Sequence, residues 1–290
     1  MQGMEFDLDK IFLLFNLDDL KSDVEPSLQF ISGPKIFYPG FINQQLDSSK
    51  NIKLLSKISY KLNNVGHRGE DFSKINKDNV NILFAGCSIT FGEYLPENFS
   101  WPHHVYKYFK DSKTNVGPLN IISYPGASGP KLVYNIFKYF NNYGIPDYLF
   151  ILMPDMFRYY GPQKDGKSFL PLVPFTDGDK ILESMNPLQG IYEFQQFYRM
   201  LEIVCNLLKI KLYSTSWSNF TNETIKSLQF KTYKSLNYND FEEIINNLDQ
   251  DFLKLYDKDF YITAADGMHP GLFTQIKYAQ HFINRNKNDI

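Results

Sequence analysis

The chain has 290 residues, 30 of them basic and 32 acidic, for a net charge of −2. That balance forces no basic face and excludes nucleic acid as an expected partner. Hydrophobic residues make up 43% and aromatic residues 17%, enough to fill a buried core and to exclude global disorder.

The opening stretch MQGMEFDLDKIFLLFNLDDL breaks its apolar run with acids and lacks a basic leader. It reads as neither a signal peptide nor a membrane span, which leaves a cytoplasmic chain or a component of a larger particle. Residues 1–75 are expected to form an N-terminal extension and an arm packed on the main body. Within the arm, ISYKLNNVGHRGEDF (58–72) reads as a short strand or hairpin turning at Gly66 and Gly69.

From residue 76 to 290 the pattern becomes an alternation of strands and helices. VNILFAG (80–86), LNIISYPG (119–126), DYLFILMPD (147–155) and KLYSTSWS (211–218) carry buried-strand patterns. Helices are expected over 101–110, 130–144, 191–210, 238–256 and 270–287. A stretch near 160–190, rich in Gly, Pro, Asp and Lys, reads as a long loop or insertion. This order implies a three-layer α/β/α sandwich around a mainly parallel sheet.

Sites in such sheets lie at the carboxyl ends of strands. Four places there carry unusual residues: Gly86-Cys87-Ser88, Gly126-Ala127-Ser128, Pro154-Asp155 and the segment AADGMHPG (264–271). The cysteines Cys87 and Cys205 and the five histidines show no metal-ligand spacing, so neither a metal nor a cofactor is expected. A phosphate loop is excluded because no G-K-[ST] follows Gly86.

FAGCSITFG and DGMHPG, in that order, resemble the first and last blocks (G-D-S-x-T-x-G and D-x-x-H-P) of the SGNH (GDSL-type) hydrolases. The resemblance spans about 80–287 and implies a flavodoxin-like fold and ester hydrolysis or O-acetyl transfer. By position it makes Ser88 the nucleophile, His269 the general base and Asp266 the acid that orients the histidine. The backbone N–H groups of Ser88 and Gly126 become oxyanion donors, and Asp155, Arg158 and His67 are candidate substrate contacts. The chemistry is sound on its own terms. A serine hydroxyl needs a base within reach to become a nucleophile, and the imidazole needs a carboxylate to fix its tautomer.

Two positions depart from the family pattern. Cys87 stands where the family has an aspartate, and LMPD puts Pro154 where an oxyanion asparagine is expected. Proline offers no donor, so Arg158, Tyr159 or Asn135 would have to replace it. The expected function is a serine esterase acting on a small-molecule or glycan ester, most plausibly an O-acetyl group on a carbohydrate. The alternatives are an O-acetyltransferase using the same site, a non-catalytic glycan-binding or structural module, and an enzyme whose nucleophile is Cys87.

Overall fold

A computed structural model of the chain describes residues 36–37, 58, 60–156, 158–162, 169–172, 187–226, 228–236, 250–265 and 269–287. Residues 238–249 of the expected 238–256 helix, most of the N-terminal extension, most of the 160–190 insertion and Asp266 lie outside these residues.

A short pair, β1 (Ile36–Phe37) and β2 (Tyr60–Lys61), runs antiparallel. The central sheet holds β3 (Ile82–Gly86), β4 (Asn120–Ser123), β5 (Tyr148–Met153) and β8 (Lys211–Ser216), all parallel. Every residue of β3, β4 and β5 is buried. The unbroken apolar runs of β3 and β5 suit strands covered on both faces.

Two apolar clusters divide the faces. Leu83, Ala85, Leu149 and Ile151 point to one side, where they meet α3 (Gly129–Tyr143) and α4 (Pro187–Leu207). Phe84, Phe150 and Leu152 point to the other, against α2 (Trp101–Ser112) and α7 (Leu272–Asn286). Successive strand residues alternate between the two clusters, as the pleat requires. The result is the expected three-layer α/β/α arrangement. Burial at roughly 25 cal/mol per Å² of apolar surface drives it, with phenylalanines filling much of the second cluster.

The strand order is β4-β3-β5-β8. The chain steps from β3 to β4 on one side and then returns to β5 on the other. That reversal is a topological switch point, and in parallel α/β sheets ligands bind beyond the carboxyl ends of the strands at such a point, here β3 and β5. The register aligns those ends: Gly86 lies opposite Ser123 on one side and Leu152 on the other, and Met153 lies opposite Ser216.

The arm runs beside the edge strand, where the Glu70 N–H donates to the Leu119 carbonyl and Gly69 bridges Asn120. Three features differ from expectation. Part of the expected loop near 160–190 is an antiparallel pair, β6 (Tyr159–Pro162) with β7 (Phe169–Leu172). A helix, α5 (Asn219–Lys226), follows β8. Of the described part of the expected 238–256 helix, residues 250–256, only α6 (Gln250–Leu253) is helical. Among the described residues no helix is long and apolar enough to cross a membrane.

Candidate active site

The turn after β3 explains the first sequence block in physical terms. α1 (Ser88–Phe91) starts immediately after Cys87 and ends at Gly92, whose left-handed backbone (φ 69°) caps it. A Cβ on Gly86 would lie 1.9 Å from Thr90 Oγ1 and 2.9 Å from the Leu152 carbonyl, so only glycine fits. Thr90 Oγ1 accepts a hydrogen bond from Trp101 Nε1 at 3.1 Å, which ties α1 to α2. Gln275 of α7 joins them, donating to the Ile89 carbonyl and accepting from the Trp101 N–H.

Arg68 holds the far side of the same turn. Its guanidinium donates to the carbonyls of Phe91, Gly92 and Leu95 at 2.7–3.0 Å and packs over the rings of Tyr60 and Phe91. Burial lowers its pKa to about 10, so it stays charged at neutral pH.

At the centre sits Ser88, 4% exposed. Among the described residues no hydrogen bond uses its hydroxyl or its N–H, nor the N–H of Gly126. Gly126 lies in the turn after β4, with φ of 74°. Two N–H groups at adjacent strand ends are therefore available to a developing negative charge. Cys87 is fully enclosed in the apolar cluster with Ile89 and Trp101. Its thiol is closed to substrate, against the reading in which Cys87 is the nucleophile.

His269 comes to this turn from the end of the chain. The Ala264 N–H donates to the His269 carbonyl, and the Ala265 N–H to the Tyr94 carbonyl. The His269 ring lies 5.8 Å from the Tyr94 ring, centre to centre. Its Nε2 stands 3.4 Å from Glu93 Oε2, longer than a well-formed N–H···O bond. The Glu93 N–H in turn donates to the Ser88 carbonyl. Ser88 and His269 are thus brought to one turn, but no hydrogen bond joins them directly. Sequence reasoning missed Glu93. The signal available was a carboxylate five residues beyond the serine, immediately after the block.

Beyond β5, the Asp155 carboxylate accepts from Ser218 Oγ, and its carbonyl accepts from the Arg158 N–H. Arg158 lies over the Trp217 ring, with its guanidinium carbon 5.1 Å from the ring centre. Asn135 is buried on α3 with both amide atoms unbonded.

His67, a candidate substrate contact, lies where the arm meets the end of β4. It is 3% exposed, and its Nδ1 lies 2.9 Å from the Ser123 carbonyl. Burial lowers its pKa to about 4, so the ring is neutral and joins the arm to the end of β4. Its ring lies 5.9 Å from that of Phe72 and 6.5 Å from that of Tyr124, centre to centre.

Compared with known proteins, the chain matches no family model. No curated protein matches it either. Among solved structures it is similar to TesA, at 16% identity and a TM-score of 0.43, over 72% of this chain and 99% of that one. It is similar to the psychrotrophic esterase EstA from Pseudoalteromonas sp., at 12% identity and 0.42, over 72% and 98%. It is also similar to AlinE4, an SGNH-hydrolase family esterase, at 13% identity and 0.36, over 74% and 96%.

Proposed function

We propose that the chain is a serine esterase, acting most plausibly on an O-acetyl group of a carbohydrate. The observation that supports this best is the Ser88 turn. It sits at the switch point with two unengaged N–H donors, and His269 is tethered to it through Glu93 and Tyr94. The likeness of FAGCSITFG and DGMHPG to the SGNH blocks supports the same assignment.

In this reading Ser88 Oγ attacks the acyl carbonyl while His269 takes its proton. The Ser88 and Gly126 N–H groups hold the oxyanion. His269 then returns the proton to the leaving alcohol, and water releases acetate from Ser88. For the first step the His269 ring must exchange its long contact with Glu93 for one with Ser88. Such contacts are commonly loose before substrate binds. Asp266 keeps its place in the proposal by its D-x-x-H spacing.

The experiment is labelling with a fluorophosphonate probe, mapped by mass spectrometry, beside acetate release from p-nitrophenyl acetate and acetylated glycans. Labelling at Ser88 with turnover supports the reading. Failure of the wild-type chain to label and to release acetate would sink it, and would favour the non-catalytic module that Pro154 suggests. Transfer of acetyl to an added sugar, in place of acetate release, identifies an O-acetyltransferase at the same site.

A further inference from the structure

The four arginines of the chain are treated unequally by the fold. Arg68 donates to three carbonyls. Arg285 donates to the carbonyls of Ser214 and Thr232, and Arg199 to Glu202 and the Leu228 carbonyl. The Arg158 guanidinium has no such partner: among the described residues it makes no hydrogen bond and no ion pair, and its Nη1 is buried.

The same guanidinium is held in place by other means. It lies over Trp217, and a cation is attracted to an indole face. The neighbouring acid, Asp155, has its carboxylate engaged by Ser218. Ser218 also accepts from the Thr221 N–H, and Thr221 Oγ1 accepts from the Met156 N–H. This network holds Asp155 and Met156, just before the arginine, without consuming its donors. A buried donor left unbonded is unfavourable unless a ligand satisfies it.

The position matters as much as the state. Arg158 follows β5 and Trp217 follows β8, so both stand at the carboxyl edge of the sheet that carries Ser88. Strands about 4.8 Å apart put the end of β8 on the order of 10 Å from the end of β3, within reach of one bound substrate. We propose that Arg158, steadied by Trp217, receives the negative charge of the substrate. The inference rests on the esterase reading. Acetate as the acyl group carries no charge of its own once esterified, so the charge belongs to the alcohol unit, as a carboxylate or a phosphate.

The test is direct binding to the full chain carrying Ser88→Ala, read by tryptophan fluorescence. Of the two tryptophans, Trp101 is fully buried in the core, so a ligand-dependent change reports Trp217. The probes are methyl glucuronoside, glucose 6-phosphate and, as the neutral control, methyl glucoside. The expected result is that at least one charged probe binds about tenfold more tightly than the neutral one, as a charge-assisted bond to arginine implies. Added salt should weaken that preference. Arg158→Met should remove it and Arg158→Lys keep part of it, with unchanged circular dichroism showing that both fold. The stronger of the two charged probes names the anion. Equal binding of charged and neutral probes, or a preference that survives in Arg158→Met, overturns the proposal. The readout needs no turnover. A chain that prefers the anion but cleaves no ester loses the esterase reading alone, and one that cleaves esters with no anion preference loses only the role of Arg158.

Discussion

His269 Nε2 and Glu93 Oε2, 3.4 Å apart, join the last sequence block to the first. Glu93 is bonded through its own N–H to the Ser88 carbonyl, so one short segment carries both Ser88, the proposed nucleophile, and a carboxylate facing His269, the proposed base. In the proposed mechanism a carboxylate here would favour the imidazolium formed when His269 takes the serine proton. Two opposite charges at this separation attract by about 1–5 kcal/mol between bulk water and an effective dielectric of 20. Part of that is already spent against solvent. Glu93→Gln is therefore expected to lower kcat about tenfold with little change in KM, the loss of about 1.4 kcal/mol in the transition state. Asp266→Asn should cost far more, about 10⁴-fold, if it sets the tautomer. Steady-state kinetics on both variants decides the ranking. If Glu93→Gln proves the more damaging, the orienting acid is Glu93.

The adjacent pair Cys87 and Ser88 makes a second, sharper contrast. Cys87 belongs to the apolar cluster under the sheet, and Ser88 begins α1 with its hydroxyl unengaged. Ser88→Ala should abolish fluorophosphonate labelling and lower ester hydrolysis by about 10³-fold or more. Cys87→Ala should keep most of the rate and lose about 1 kcal/mol of stability, as expected for trimming a small buried side chain. The labelling experiment run on the two variants side by side separates the nucleophile from its neighbour. Labelling that persists in Ser88→Ala but vanishes in Cys87→Ala would reverse the assignment.

Much of this was legible because it is local. Gly86, Ser88, Thr90 and Gly92 lie within one turn, and each spacing follows from that turn: Gly86 makes room for Thr90, and Gly92 ends α1. β3 and β5 were legible from their unbroken apolar runs, while β4 (NIIS) and β8 (KLYSTS) carry apolar residues only in part. What the sequence concealed depends on distant segments. Arg68 acts on carbonyls more than twenty residues away. Glu93 meets His269, and Arg158 meets Trp217, only once separate loops converge. The helix α5 was hidden by its composition, since NFTNETIK is poor in strong helix formers. Its Thr221 and Asn222 are buried and bonded to the ends of β5 and β8, so tertiary contacts supply what propensity lacks. The pair β6–β7 was hidden by Gly161 and by prolines at Pro162 and Pro171, which suggest a loop but are tolerated at the margins of a two-stranded sheet.

Arg68 offers a test of how the arm supports the site. Removing its side chain leaves three carbonyls without their donor and opens space beneath Tyr60 and Phe91. Arg68→Met is expected to destabilise the chain by about 3 kcal/mol, because its loss leaves buried acceptors unpaired. Arg68→Lys should recover little of this, since a compact ammonium cannot reproduce the fork that spans Phe91, Gly92 and Leu95. Urea unfolding gives the stability. If the arm positions the turn, ester hydrolysis at a temperature where the variant stays folded should also fall. Wild-type stability in Arg68→Met would show that the three bonds contribute little.

Three buried histidines predict how stability responds to acid. Burial lowers His67 and His104 to about 4 and His281 to about 3, from 6.5 in the open chain. Each is neutral in the fold, because desolvation disfavours the imidazolium. Below pH 6.5 the unfolded chain takes up protons that the folded chain refuses, so acid favours unfolding. Their contribution is whole above the unfolded value of 6.5 and is lost as pH falls from there toward 4. Between about pH 7 and about pH 5 the loss is on the order of 2 kcal/mol for each histidine. Urea midpoints should therefore drop over that range. His67→Asn, which removes one of these groups, should make the drop smaller by about 2 kcal/mol. A pH dependence that is unchanged in His67→Asn would mean that His67 is already protonated in the fold, and that its contact with the Ser123 carbonyl is made by a charged ring.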